Sequence, residues 1–338
     1  MSVTTEKEKE KEYDINTVTE KELNEIPRFK PWVLYNCSFK EKVLMICSFI
    51  FLFGWLRLII QIFWHFFLAE TLRLLTIGQD PNKPYSKFRK TLVSKWSSFW
   101  SRIMMFTLGY WWIEVKGKEN LKKFKKQTKN RIFISNHQTL EDVPLLNYLV
   151  GCSFLSKEAL SKVPLIGTTN TLIQGMYMSR KKSNTWLKEE IQNRYKNDDY
   201  IPLCVFAEGT TTNGKGVLQF RKGLFESGYT IHPIKIQFKG GLPFKFSEVS
   251  YTYQSVPFLF ISILCNIINF VEVTYLEPYE PSEEEKKDSI LFANNVRKKY
   301  IEQTGLPPYQ GSYRDFVEYE KVLKTIRKRG TQNKKKTK

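Results

Sequence analysis

The chain has 338 residues, 42% of them apolar and 15% aromatic, which is enough for one large domain or two small ones with a substantial core. Its formal net charge of +19 favours anionic partners such as phospholipid surfaces, phosphorylated substrates or nucleic acid. The five cysteines are scattered and none forms a CxxC pair, which argues against a disulfide framework or a zinc site.

The N-terminal segment is rich in Glu, Lys and Thr and shows no apolar periodicity over residues 1–25. Such a composition is typical of a disordered tail. No cleavable signal peptide is visible, because the first 42 residues lack an apolar run. We therefore predict that residues 1–42 form a disordered, cytosolic tail.

An almost wholly apolar stretch of 27 residues follows at 43–69. A bilayer span needs about 20 apolar residues, so the length suffices. Arg57 lies at its centre, three residues after Gly54. Placing an arginine in mid-bilayer costs about 2.5–3.5 kcal/mol. We expect a helical hairpin or a steeply tilted re-entrant element, with Arg57 near the head groups or facing protein. A single span and a soluble core helix are the alternatives.

A second aromatic stretch, at 96–112, is amphipathic and short. Trp and Tyr favour the membrane–water boundary, which predicts an interfacial helix, while a core helix packed on the globular part is the alternative. Together the two stretches predict that residues 43–112 form a membrane anchor of a helical hairpin plus an interfacial helix.

The region 113–282 alternates predicted strands with predicted helices, which implies an α/β domain, a sheet flanked by helices. An apolar run at 256–273 is read as a buried helix leading into a strand, because polar residues interrupt it. Residues 283–338 are predicted to form a C-terminal helix and a basic tail. The predicted strands are 113–118, 131–135, 153–156, 175–179, 200–206, 231–237 and 271–276, and the helices are 144–150, 183–195 and 284–303.

A histidine and an aspartate lie at the turn between the second of these strands and the next helix. His137 follows the strand, and Asp142 comes five residues later. A turn of this length can fold the carboxylate back onto one imidazole nitrogen, which leaves the other free to take a proton from a hydroxyl group. The alternative is a histidine that caps a turn. His65, inside the apolar stretch, and His232, in a strand, are expected to be structural.

Three further motifs follow in order: GMYMSR at 175–180, FAEGT at 206–210 and IHPI at 231–234. Arg180 ends a predicted strand, where a guanidinium can bind two phosphate oxygens; a surface salt bridge is the alternative. Glu208 and Gly209 open a turn after a strand, and backbone N–H groups in such turns make anion-binding concavities. Thr210 adds a hydroxyl donor.

Together with NHQTLED at 136–142, these sequences resemble the four motifs of the glycerolipid acyltransferase family, membrane enzymes that acylate glycerol-3-phosphate and lysophospholipids. The resemblance covers about residues 116–278. The run FAEGTTTNG is similar to that of the lysophospholipid acyltransferase branch, although Ala207 stands where the family usually has Pro. The resemblance implies that Arg180, Glu208, Gly209 and Thr210 bind the phosphorylated acceptor.

Two more cations occupy positions that resemble family elements. Lys157 lies between the first two motifs and Arg221 after the third, and either could contact phosphate. A solvated surface side chain is the alternative for both.

The resemblance implies an acyl-CoA:lysophospholipid (1-acylglycerol-3-phosphate) O-acyltransferase, with His137 as general base oriented by Asp142. The acceptor's own hydroxyl is the nucleophile, so no catalytic Ser or Cys is needed. We expect no metal and no cofactor, with acyl-CoA as co-substrate. The alternatives are a CoA-independent phospholipid transacylase and a non-catalytic membrane interaction module on the same fold. Nucleic acid is not expected as a partner, because no recognition motif is present.

The last four residues resemble a retrieval signal. Lys335 and Lys336 stand at the fourth and third positions from the end, which matches the dilysine retrieval signal of endoplasmic reticulum membrane proteins. A polybasic tail attracted to anionic lipid is the alternative. Both predict that the tail is exposed to the cytosol. We expect the protein in the endoplasmic reticulum membrane, with its catalytic domain and tail facing the cytosol, and the lipid droplet as a second location.

Overall fold

The computed structural model describes residues 13–15, 17–34, 37–120, 131–179, 183–245, 250, 252 and 256–336. Seven strands within these ranges form one sheet. They are β1 (Ile113–Lys116), β2 (Ile132–Ser135), β3 (Ser153–Lys157), β4 (Met176–Met178), β5 (Leu203–Phe206), β6 (Ile231–Leu242) and β7 (Ile268–Tyr275). Their order across the sheet is β1–β7–β6–β2–β5–β3–β4.

The centre of the sheet is the strand β2, which pairs in parallel with β5 and with β6. Every residue of β2 is buried. Phe133 packs into the core on one face of the sheet, whereas Ile132 and Ile134 pack into the core on the other. A strand covered on both faces reads as a continuous apolar run. This explains why IFIS carries no alternation. Only the pair β6–β7 is antiparallel among the pairings described.

Helices cover both faces, as the sequence predicts for an α/β fold. In the described ranges the helices are α1 (Glu20–Glu25), α2 (Phe39–Phe51), α3 (Gly54–Leu75), α4 (Lys87–Thr107), α5 (Asp142–Val150), α6 (Ile166–Leu172), α7 (Asn184–Lys196), α8 (Val256–Leu264), α9 (Glu283–Lys287), α10 (Ser289–Thr304) and α11 (Tyr313–Lys336). The larger core lies between the sheet and α3, α4, α5 and α8. The smaller core lies under α7 and α10.

The apolar stretch at 43–69 forms parts of two helices, with a break immediately before Gly54. Phe53 at the break adopts a left-handed φ of 56°. A Cβ on Gly54 would lie 2.8 Å from the carbonyl oxygen of Leu264, so only glycine fits this approach. The helix α3 has the length and composition of a helix that can cross a membrane. Its one charged residue in this stretch faces protein, since Arg57 Nε donates to the carbonyl of Thr107 at 3.0 Å.

Residues 96–107 of the second aromatic stretch belong to α4, which packs against α3 and α5. Met104 and Met105 are buried in the larger core, whereas Phe99 and Phe106 project outward and are about half exposed. The inner face of this helix therefore has the packing of the core-helix alternative. Its outer face retains the exposed aromatic side chains on which the interfacial prediction depends.

The prediction of a disordered N-terminal tail is wrong for residues 17–34. Here α1 and the 3-10 helix Pro27–Trp32 pack on α11, and Leu23, Phe29 and Trp32 have no exposed surface. The predicted basic tail likewise contributes to α11, a helix of 24 residues. Each segment is too polar to fold alone, but their apolar stripes cover one another. The predicted helix at 284–303 is divided into α9 and α10.

Candidate active site

The site begins where β2 ends, at the side chain of Asn136. Its Nδ2 donates to the carbonyl of Ile236 at 2.9 Å, and its Oδ1 accepts from the N–H of Ile236 at 2.8 Å. The hydroxyl of Tyr300 donates to the same Oδ1 at 3.1 Å. The amide therefore continues the pairing between β2 and β6 beyond the strand end, and the main chain is free to turn at His137.

The structure brings His137 and Asp142 together. The Nδ1 of His137 lies 2.7 Å from Asp142 Oδ2, which also accepts hydrogen bonds from the N–H groups of Gln138 at 2.6 Å and Thr139 at 3.0 Å. An ionised carboxylate can only accept, so Nδ1 carries the proton and Nε2 is left as the basic nitrogen. The Asp142 side chain is fully buried, whereas that of His137 is 19% exposed. The imidazole therefore reaches solvent and the carboxylate does not.

An aromatic ring fixes the plane of the imidazole. Phe206 stacks on His137 with ring centroids 3.8 Å apart and an angle of 9° between the planes. Phe206 ends β5, in register with Ser135 at the end of β2. The stack covers one face of the imidazole and restrains its rotation. Sequence reasoning missed this role, although parallel neighbouring strands end at the same edge and bring their last residues together.

The carboxyl group of Glu208 lies beneath this loop rather than at the surface. The side chain is fully buried, and its Oε2 accepts a hydrogen bond from the N–H of Leu218 at 3.0 Å. Burial raises the pKa of Glu208 to about 7, although the backbone N–H groups of Leu218 and His137 act in the opposite direction. Thr210 is also buried. Both side chains therefore lie inside the loop. Their contact with the acceptor stays a prediction.

Two glycines let the loop at 209–214 approach its neighbours. Gly209 has a φ of +74°, and a Cβ there would lie 2.4 Å from Cδ of Arg221. Gly214 has a φ of +70°, and a Cβ there would lie 1.7 Å from the side-chain nitrogen of Gln138. The N–H of Thr212 donates to the carbonyl of His137 at 2.8 Å. The third motif is thus packed directly on the first.

The two further cations predicted from sequence meet on one aromatic ring. Arg221 Cζ lies 4.8 Å from the ring centroid of Tyr313, and Lys157 Nζ lies 5.6 Å from the same centroid. Both cationic side chains are exposed. Within the described ranges, no ion pair joins either one to a carboxylate. Arg180, the remaining predicted cation, lies outside the described residues.

A second buried carboxyl group adjoins the His137–Asp142 pair. Glu141 accepts a hydrogen bond from the hydroxyl of Thr139, and burial raises its pKa to about 7. Sequence reasoning missed it because a charged residue in a turn is usually exposed. The two other histidines have the structural surroundings expected of them. His232 is fully buried in β6, where burial lowers its pKa to about 4, and His65 Nδ1 lies 2.8 Å from the carbonyl of Gln61.

Comparison with known proteins identifies the family. The family model for acyltransferases matches residues 112–237, which include both His137 and Asp142. Lysophosphatidylcholine acyltransferase 1 of Danio rerio is 31% identical over 249 residues, which are 71% of this chain and 46% of that protein. The chain belongs to the glycerolipid acyltransferase family.

Other members of the glycerolipid acyltransferase family agree with this match. A lysophospholipid acyltransferase of Arabidopsis thaliana is 27% identical over 62% of this chain and 58% of its own length. The chain spans about half the length of these curated relatives. The crystal structure of the 1-acyl-sn-glycerophosphate (LPA) acyltransferase from Thermotoga maritima superposes with a TM-score of 0.50 at 19% identity, covering 74% of this chain and 97% of that one. This likeness shows the shared fold.

Proposed function

We propose that the protein transfers a fatty acyl chain from acyl-CoA to the free hydroxyl of a lysophospholipid, either lysophosphatidic acid or another lysoglycerophospholipid. The observation that carries the proposal is the His137–Asp142 contact at the open end of β2, in a chain of the acyltransferase family. The relatives named above are lysophosphatidylcholine and lysophospholipid acyltransferases, which supports a lysophospholipid as acceptor.

His137 is the proposed general base, and its contact with Asp142 supports this role. With Nδ1–H bonded to Asp142, Nε2 of His137 accepts the proton of the acceptor hydroxyl while that oxygen attacks the thioester carbonyl carbon. The new C–O bond forms, the C–S bond then breaks, and the proton passes from Nε2 to the departing thiolate. No acyl-enzyme is formed, and the products are the diacyl lipid and free CoA. A base of this kind contributes about 10²–10⁴-fold to the rate.

The phosphate of the acceptor is bound by the cationic side chains that meet at Tyr313. Lys157 and Arg221 carry the positive charge, and Arg180 is proposed as a third cation from its sequence position. A phosphate group accepts charge-assisted hydrogen bonds from such side chains, and a guanidinium can bind two of its oxygens at once. Gly209 lets the turn lie against Arg221, and Glu208 supports that turn from the interior.

The helices α2, α3 and α4 anchor the enzyme in a bilayer. Many large apolar side chains are exposed along these helices, whereas soluble proteins usually expose such residues singly. The most exposed of them include Phe39, Phe51, Phe53, Ile59, Ile62, Phe63, Phe66, Phe88 and Phe99. At about 1.5 Å per residue, the 22 residues of α3 extend far enough for a hydrocarbon core about 30 Å thick. The proposed location is the endoplasmic reticulum membrane, with the catalytic side in the cytosol.

The test is transfer of a labelled acyl chain by purified protein in detergent micelles that contain no diacyl lipid. Labelled acyl-CoA is supplied with lysophosphatidylcholine, lysophosphatidylethanolamine or lysophosphatidate in separate reactions. We expect labelled diacyl product and one free thiol for each chain transferred. Absence of transfer to every acceptor would refute the proposal. Transfer from a labelled phospholipid but not from acyl-CoA would indicate a transacylase instead.

A pair of matched variants shows whether the measured activity belongs to this site. Asp142→Asn removes the carboxylate that holds the Nδ1 proton, and we expect at least a hundredfold loss of kcat. Asp80→Asn makes the same chemical change in an exposed turn. It should leave kcat within about twofold of the parent, as is usual for surface substitutions away from special features.

A further inference from the structure

Lys157 and Arg221, the two cations of the proposed phosphate site, both lie against Tyr313. Tyr313 is outside the part of the chain that matches the family. Lys157 ends β3, Arg221 precedes the 3-10 helix Lys222–Ser227, and Tyr313 begins α11. The match to the family ends at residue 237. An aromatic face attracts cations, and guanidinium groups more often than ammonium groups. The ring of Tyr313 therefore draws both side chains toward one point.

Placing two positive charges on one ring is unfavourable unless an anion also binds there. The two charges lie 4.8 and 5.6 Å from the same ring centroid, and like charges gathered in one place disfavour one another. No carboxylate of the described residues pairs with either side chain. A phosphate group has both the charge and the acceptor oxygens to bind them together. The arrangement thus has the form of a phosphate site whose third member is an aromatic ring.

The start of α11 is fixed by charged contacts with the N-terminal segment. Ser312 donates from its N–H and its hydroxyl to Asp315 Oδ2, at 2.8 and 2.6 Å. Arg28 binds Asp315 at 3.0 Å and Glu318 at 2.7 Å, with only 12% of the arginine side chain exposed. Partly buried ion pairs of this geometry lose little to solvent screening. The contacts of Ser312 and Asp315 therefore restrain the backbone before and after Tyr313.

The same N-terminal segment is bonded to the loop of the third motif. The N–H of Asn213 donates to the carbonyl of Pro31 at 2.8 Å, and its side-chain nitrogen donates to the carbonyls of Lys30 and Val33 at 2.9 and 3.0 Å. In that loop, Thr212 donates to the carbonyl of His137. One hydrogen-bonded chain of contacts therefore runs from α11 through residues 28–33 to the base.

We propose that Tyr313 is a positioning residue of this phosphate site: its ring holds Lys157 and Arg221 toward a bound phosphate group, and Arg28 fixes the start of the helix that carries the ring. The proposal rests on the acyltransferase function proposed above. The phosphate belongs either to the lysophospholipid acceptor or to CoA, both of which carry it. Two segments outside the family match, residues 28–33 and the start of α11, therefore complete the site.

The experiment compares Tyr313→Ala, Tyr313→Leu and Tyr313→Phe in the whole 338-residue chain. Two lost cation–ring contacts at an exposed site predict a rise in KM of about tenfold for the phosphate-bearing substrate in the Ala and Leu variants. We expect kcat to change less than about threefold, because the base is untouched, and the Phe variant to stay within about twofold of the parent. Val317→Ala, an exposed position on the same helix, is the matched control.

Each outcome decides the question. A rise in the KM of the lysophospholipid assigns the site to the acceptor phosphate, and a rise in the KM of acyl-CoA assigns it to CoA. Unchanged values for both substrates in the Ala and Leu variants would overturn the proposal, as would a Phe variant as impaired as the Ala variant. If the parent protein transfers no acyl chain, the proposed function fails separately. Calorimetric binding of CoA and of glycerol 3-phosphate then tests Tyr313, with the same tenfold weakening expected.

Discussion

Glu208→Gln tests whether the carboxyl group of the third motif is an internal support. Gln is nearly the same shape, and its carbonyl oxygen can accept the hydrogen bond from the N–H of Leu218 that Glu208 accepts at 3.0 Å. The change removes only the possibility of a buried negative charge. If Glu208 were a surface contact for substrate, the same change would alter binding and leave stability and its pH dependence alone.

The magnitude follows from the pKa. Burial raises the pKa of Glu208 from its ordinary value of 4.5 to about 7, so the folded state disfavours ionisation. The stability of the parent therefore falls as the pH rises from about 4.5 through about 7. Gln has no such loss. We expect the free energy of unfolding of the Gln variant to exceed that of the parent by less than about 1 kcal/mol at pH 5 and by about 3 kcal/mol at pH 8.

The assay is urea unfolding in mild detergent at pH 5, 6, 7 and 8, for the parent and the variant. His232, whose pKa burial lowers to about 4, contributes a stability that is lost as the pH falls through 6.5 toward 4, but it does so in both proteins and cancels in the difference. Glu141→Gln should give a second curve of the same sign, because its pKa is also about 7. Parallel profiles for Glu208→Gln and the parent would refute the reasoning.

Two further substitutions have matched controls. Gly209→Ala places a Cβ 2.4 Å from the side chain of Arg221, and we expect acceptor KM to rise about tenfold as that guanidinium is displaced. Gly78→Ala imposes a similar positive φ with no atom within 4 Å, so it should share the loss of stability and leave KM unchanged in the same titrations. Arg57→Met leaves buried carbonyls without donors, and detergent unfolding should show a loss of about 2–4 kcal/mol. Arg73→Met, at an exposed pair, should lose less than about 1 kcal/mol.

The sequence predicts the parts of this fold that are settled by local pattern. The strand before His137, its five-residue turn to Asp142 and the buried helix leading into β7 all depend on residues near one another in the chain. The order and spacing of the four family motifs are more specific than any one motif taken alone. For these reasons the α/β fold and the imidazole–carboxylate contact could be expected before the structure was known.

What could not be predicted depends on contacts between distant segments. Residues 17–34 look disordered alone, because their apolar stripe is covered by Leu218 and by α11, about 200 and almost 300 residues later in the chain. The burial of Glu208 follows from a hydrogen bond to Leu218 after a loop whose path the sequence does not specify. Tyr313 lies among basic and acidic neighbours that are typical of a solvated tail. Only the folded chain places its ring on Arg221.

A turnover measurement on His137→Ala, in protein reconstituted into phospholipid vesicles, tests the central claim most directly. The account predicts that kcat for transfer from acyl-CoA to a lysophospholipid falls by about 10²–10⁴-fold, with acceptor KM little changed, because only the proton acceptor is lost. His65→Ala, a histidine of α3 outside the site, should stay within about threefold of the parent. Activity of His137→Ala within tenfold of the parent would contradict the assignment of His137 as the base.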